Sequence, residues 1–148
     1  TALSVNEIKE DIVLGEDNKR EFKSSFSWCY KSNSIREIDR NKDIVKAISG
    51  FLNGEGGKLY VGVKDSGEII YLDNDINHWH PDKNLDGLKK RIRNKILLKY
   101  FENFTHNIKI RYQHIGSKIL SIIDVTPSIQ PCEIDYKENG IKKTFFLG

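Results

Sequence analysis

The sequence contains no methionine, only two cysteines and three prolines, and no apolar run near the ~20 residues that a membrane span needs. Cys29 and Cys132 form no CxxC or comparable ligand pair, and the opening Thr-Ala-Leu-Ser-Val has neither the basic residues nor the apolar run of a secretion signal. A reducing, cytoplasmic setting without a membrane partner is the expectation. The missing initiator methionine, with a chain that stops at Phe145-Phe146-Leu147-Gly148 straight after a strand-like run, adds the expectation of a piece of a longer protein with flanking domains.

What is present is the material of one globular domain spanning residues 1–148, with 38% apolar and 30% charged residues. The net charge of +3 is unevenly spread. Lys89, Lys90, Arg91, Arg93, Lys95 and Lys99 lie in eleven positions that contain no acid, so this segment carries +6 and the rest of the chain −3. Such a run is either a solvated helix face or a surface that neutralises nucleic-acid phosphates.

Ser4 followed by Glu7 predicts a capping box and a helix through Ile8, Ile12 and Val13, closed by Gly15. Residues 19–26 predict a strand on which Glu21 and Lys23 share one face and Phe22 takes the other. The stretch 24–38, rich in Ser, Asn and aromatics, predicts a mobile loop, the best candidate for a lid. Ile44, Val45, Ile48, Phe51 and Leu52 define a second helix over 39–52, with Asn53-Gly54 as its left-handed stop. Strands are expected at 58–64 and 69–72, a third helix through Leu85, Leu88, Ile92 and Ile96, and strands at 108–115, 118–125, 132–136 and 141–146, the last pair joined by Glu138-Asn139-Gly140. On the third helix Arg91, Lys95 and Lys99 would form a row on one flank. The expected fold is α+β: a mixed, largely antiparallel sheet with about three packed helices.

Glu16, Glu21 and Asp65 are the candidate metal ligands, and with Lys23 the candidate catalytic residues. Three carboxylates can hold Mg²⁺ or Mn²⁺ against a phosphodiester, and a lysine on the same strand face can steady the developing negative charge. Glu21-x-Lys23 resembles the Glu-x-Lys half-site of many metal nucleases; the plain alternative is a solvated strand pair. Gly54, Gly56 and Gly57 do not make a phosphate loop, because Leu59 follows the Gly-Lys pair where Ser or Thr is needed and the helix precedes the strand. They read as a tight helix-to-strand turn. His78-Trp79-His80 beside Asp73, Asp75 and Asp82 reads as incidental rather than as a metal cluster, and Trp28, Tyr30 and Trp79 either stack on bases or anchor their loops.

The run from Phe51 to Gly67 resembles the hallmark of the Schlafen-type AlbA-like domain, through Phe51, Asn53, Gly56, Gly57, Leu59, Gly62, Val63, Asp65 and Gly67. Gly15-Glu16 and Glu21-Phe22-Lys23 match the first motif of that family, and a looser likeness covers most of the chain. The closing aromatic-Val-Arg-x-Gly strand usual in the family lacks its arginine here. The resemblance implies nucleic-acid binding and, for the Schlafen branch, a divalent-metal-dependent endoribonuclease cutting structured RNA such as tRNA, whose active carboxylates map onto Glu16, Glu21 and Asp65. Other relatives in bacterial regulators are DNA-binding or ATP-binding modules without demonstrated catalysis, and that alternative stays open. Relatives with two such lobes clamp RNA between them, which makes a homodimer a candidate state for a lone domain.

Overall fold

Ser4 Oγ accepts the Glu7 N–H at 3.2 Å and opens helix α1, Val5–Val13, which Gly15 closes at φ +83°. Ile8 and Ile12 are buried beneath it. Val13, expected to pack with them, is exposed, because one residue turns the helix by about 100° and carries it off the buried face.

The computed structural model describes residues 4–79, 82–138 and 141–145. After α1 come β1 (Arg20–Lys23), β2 (Trp28–Cys29), β3 (Ser34–Ile35), α2 (Glu37–Asn53), β4 (Gly57–Val61), α3 (Asp73–His78) and α4 (Leu85–Ile92). A π turn (Arg93–Leu97), α5 (Leu98–Phe101) and a 3-10 turn (Glu102–Asn107) lead to β5 (Ile108–Ile115), β6 (Lys118–Val125), β7 (Ile134–Glu138) and β8 (Ile141–Phe145). The main sheet runs β1-β4-β6-β5, with β1 parallel to β4 and the other pairs antiparallel, so it is mixed and largely antiparallel as expected. β7 and β8 form a separate antiparallel ribbon; Asn139 and Gly140, on which the hairpin expectation rested, lie outside the described residues. The strand expected over 69–72 reduces to one bridge, Val63 to Ile69.

Alternation along the strands divides the core in two. Phe22, Tyr60 and Ile122 face α1, whereas Leu59, Val61 and Ile123 face α2 and α4. The helix after Asn84 buries Leu88, Ile92, Ile96 and then Phe101, a spacing of four, four and five. The π turn takes up the extra residue, with the Leu98 N–H reaching back to the Arg93 carbonyl, and so keeps all four on one face.

The helix-to-strand turn differs from expectation in one detail. Gly54 has φ −105°, and the left-handed residue is Gly56 at +78°. Gly57 is constrained by space instead: a Cβ there would stand 2.4 Å from the Phe51 ring and 2.8 Å from the Lys19 carbonyl oxygen.

Residues 24–36 are not a free lid. Ser25, Phe26, Ser27 and Trp28 are buried, and β2 pairs with β3. The anchor is Asp75 on α3, itself 1% exposed. Its carboxylate accepts from the Ser25 hydroxyl at 2.8 Å, the Ser27 hydroxyl at 2.5 Å, the Ser27 N–H at 3.0 Å and the Phe26 N–H at 3.2 Å. Asn41 Nδ2 donates to the Phe26 carbonyl at 2.6 Å. A buried acid thus satisfies a backbone that would otherwise lose its hydrogen bonds to water.

Burial pushes the Asp75 carboxyl above the usual carboxylate range, against the opposing pull of the two serine hydroxyls and the two N–H groups. A raised native pKa means that the folded protein holds this proton where the unfolded chain has lost it. The Asp75 contribution therefore grows as pH falls through the native pKa towards the unfolded value near ~3.9. Urea unfolding of wild type and Asp75→Asn between pH 7 and 4 is expected to show the difference moving in favour of wild type on acidification; a flat or reversed difference contradicts the assignment. Gly57→Ala is expected to cost about 1–3 kcal/mol in the same measurement, since the Phe51 ring and the β1 backbone must both give way.

Candidate nucleic-acid interface

β1 is the edge strand next to β4. The Lys19 carbonyl accepts from Lys58 N–H at 2.9 Å and the Lys23 carbonyl from Gly62 N–H at 2.8 Å, so the intervening Phe22 N–H points to the open edge. There it donates to Glu16 Oε1 at 2.9 Å. Glu16 therefore caps the sheet edge, a position from which strands otherwise recruit other chains.

Glu21 and Lys23 lie on the α2 side of the strand as their spacing predicts, with Lys23 Nζ 3.4 Å from Glu21 Oε1. They open on two adjoining hollows. The first, about 400 Å³, runs between β1 and α2 and is lined by Asp17, Glu21 and Lys23 on one side and Asp43, Lys46 and Gly50 on the other. The second, about 560 Å³, continues past Lys23 and Asp43 to Tyr30, Arg40 and the turn Lys64-Asp65-Ser66. Lys23 and Asp43 belong to both.

The structure thus puts Glu21 and Asp65 on neighbouring hollows joined at Lys23, while Glu16 lines neither. Among the described residues no three His, Cys, Asp or Glu side chains gather in a way that holds a metal ion, so Glu16, Glu21 and Asp65 as they stand do not form a cage for Mg²⁺ or Mn²⁺. Asp43 is the acid that sequence reasoning missed. Its signal was readable in α2, where Arg40, Asp43, Ala47 and Gly50 repeat at helical spacing beside the buried stripe. Asp43 is paired with Arg40 at 3.2 Å.

The basic segment does not form one stripe. Lys90 and Arg93 are exposed, and Lys89 Nζ sits 5.2 Å from the Tyr112 ring on β5. Arg91 is half-buried, and its Nε and a terminal nitrogen donate to the Trp79 carbonyl at 3.0 and 2.8 Å. Lys95 and Lys99 turn to a third hollow, about 500 Å³, between α2, α5 and β7. Trp28 and Trp79 are anchors: both are buried, Trp79 stacks on Phe26 at 6.2 Å and Trp28 on His78 at 4.9 Å. His80 lies outside the described residues. No described helix is long and apolar enough to cross a membrane.

A four-stranded mixed sheet with helices on both faces, an acid–lysine pair on its edge strand and a basic helix beyond it define an α+β domain with a polar groove at β1. The chain belongs to the Schlafen, AlbA_2 family, whose model matches residues 16–146. The fold is similar to that of the DIP2311 protein from Corynebacterium diphtheriae, with a TM-score of 0.52 and 12% identity over 95% of this chain. This chain spans 30% of the length of that protein. No curated protein matches the sequence.

Proposed function

We propose that this chain is a nucleic-acid-binding domain that holds the phosphate backbone through Lys89, Lys90, Arg93, Lys95 and Lys99. The observation that carries this reading is the run of exposed cations on one helical segment without an acid among them, in a member of a family that suggests nucleic-acid binding. Each phosphate contact releases condensed counterions, so affinity falls with salt by an amount that counts the contacts. Arg91 is omitted from the set because its guanidinium already serves the Trp79 carbonyl.

Fluorescence anisotropy of a labelled tRNA and a DNA duplex across a salt series tests the reading. Replacing Lys89, Lys90 and Arg93 by alanine is expected to weaken binding at least about tenfold and to make the plot of log affinity against log salt shallower by about 2 to 3. Unchanged affinity and slope would sink it.

A finer reading, cleavage of structured RNA such as tRNA, is favoured by Glu21, Lys23 and Asp65 opening on joined hollows. Glu16, Glu21 and Asp65 are hard oxygen donors of the kind Mg²⁺ and Mn²⁺ take, and a bound divalent ion would supply charge neutralisation at the scissile phosphate. Lys23 would stand beside that phosphate. Because the carboxylates do not form a ready cluster, this reading requires nucleic acid or metal to draw Glu16 away from the Phe22 N–H. Incubating tRNA and DNA with the protein and Mn²⁺ is expected to give cleavage that Asp65→Ala abolishes. Binding without cleavage in both proteins would instead favour a non-catalytic DNA-binding module of a larger regulator.

A further inference from the structure

We propose that the third hollow, between α2, α5 and β7, is a subsite for one unpaired base of a bound strand. The proposal rests on the nucleic-acid reading above and narrows it from backbone gripping to recognition of single-stranded segments. The hollow, about 500 Å³, is of the size that takes small organic groups, and it lies on the other side of α2 from the β1 groove.

Its walls suit a nucleotide part by part. Val45 and Ile134 give an apolar floor, and the rings of Tyr100 and Tyr136 stand in the lining. Each ring is paired with an ammonium group: Lys99 Nζ is 5.3 Å from the Tyr100 ring centre and Lys42 Nζ is 5.3 Å from that of Tyr136. A stacking surface and a phosphate-binding charge thus coincide, the combination on which single-strand binding depends. Lys95, exposed and in the lining, adds a third cation for a flanking phosphate.

The same walls disfavour a duplex. Glu37 and Asp135 line the hollow, and their carboxylates would repel a continuous phosphate backbone laid across it. Glu37, steadied by the Trp79 indole N–H at 2.9 Å, instead offers an acceptor to an exocyclic amino group on a base. Only a base turned out of its stack can enter a concave site of this kind. Lys89 sits against Tyr112 and neither it nor Arg93 lines the hollow, so a duplex can be held by them without filling it.

The test compares three probes: a single-stranded oligonucleotide carrying 2-aminopurine, a blunt duplex of the same length, and free AMP. Tyr136→Ala is expected to weaken single-strand binding about tenfold, to leave duplex binding within about twofold, and to abolish the fluorescence quenching seen with wild type. Tyr136→Phe keeps the ring and is expected to behave as wild type. The double variant Lys95→Ala/Lys99→Ala, which changes exposed side chains only, is expected to weaken both forms, because both lysines also grip the backbone, but single-strand binding by the larger factor, and it guards against misfolding of the ribbon. Equal losses for strand and duplex, or no loss for either, overturn the proposal while leaving the broader reading intact. AMP bound as tightly as the oligonucleotide overturns it in favour of a free-nucleotide site. If no probe binds to wild type, the nucleic-acid reading itself fails and this subsite with it.

Discussion

A missing side chain at position 57 lets three elements approach more closely than any other residue permits. The Phe51 ring at the end of α2 and the Lys19 carbonyl at the start of β1 both occupy the space a Cβ would need. Because they can close in, Lys58 N–H reaches the Lys19 carbonyl, β1 pairs in parallel with β4 and α2 lies across both. That packing brings Glu21 and Lys23 opposite Asp43 and Lys46, and the groove between them is its product. The glycine-rich run thus acts on the site through geometry, with no phosphate-loop chemistry of its own.

A second anchor shapes the far end of the groove. Asp75 lies about fifty positions from the serines it holds, and among the described residues no cation is bonded to its carboxylate. Burial pushes the carboxyl upward, and the hydroxyl and N–H donors offset only part of that cost. The result is that Ser24, Ser25 and Tyr30 form a fixed wall of the second hollow. What the composition suggested was a lid is structure that lines one hollow together with Lys23 and Asp65.

Local periodicity made much of this legible. β5 and β6 fall where alternation put them, Ser4 and Glu7 announce α1, and period two alone sets Glu21 and Lys23 together against Phe22. The parts that stayed hidden depend on contacts distant in sequence or on small departures from ideal geometry. Nothing near Glu16 shows that the Phe22 N–H will be left at an open sheet edge, since that follows from which strand pairs with β4. Nothing near Ser25 points to Asp75. The π turn was within reach, because Phe101 falls five residues after Ile96 instead of four, yet its effect was to send Lys95 and Lys99 towards α2 and β7 and to split a row of cations that looked continuous.

The central claim is that nucleic acid meets the polar side of the domain, along the basic helical segment and the β1 groove, and leaves the α1 side alone. Amide shift mapping of the isotope-labelled chain during titration with a tRNA measures this residue by residue. The account predicts perturbations concentrated at residues 21–25, 64–66 and 89–99, with Ile8, Ile12 and their neighbours on α1 unmoved. Shifts confined to α1, or none at any residue, would contradict it.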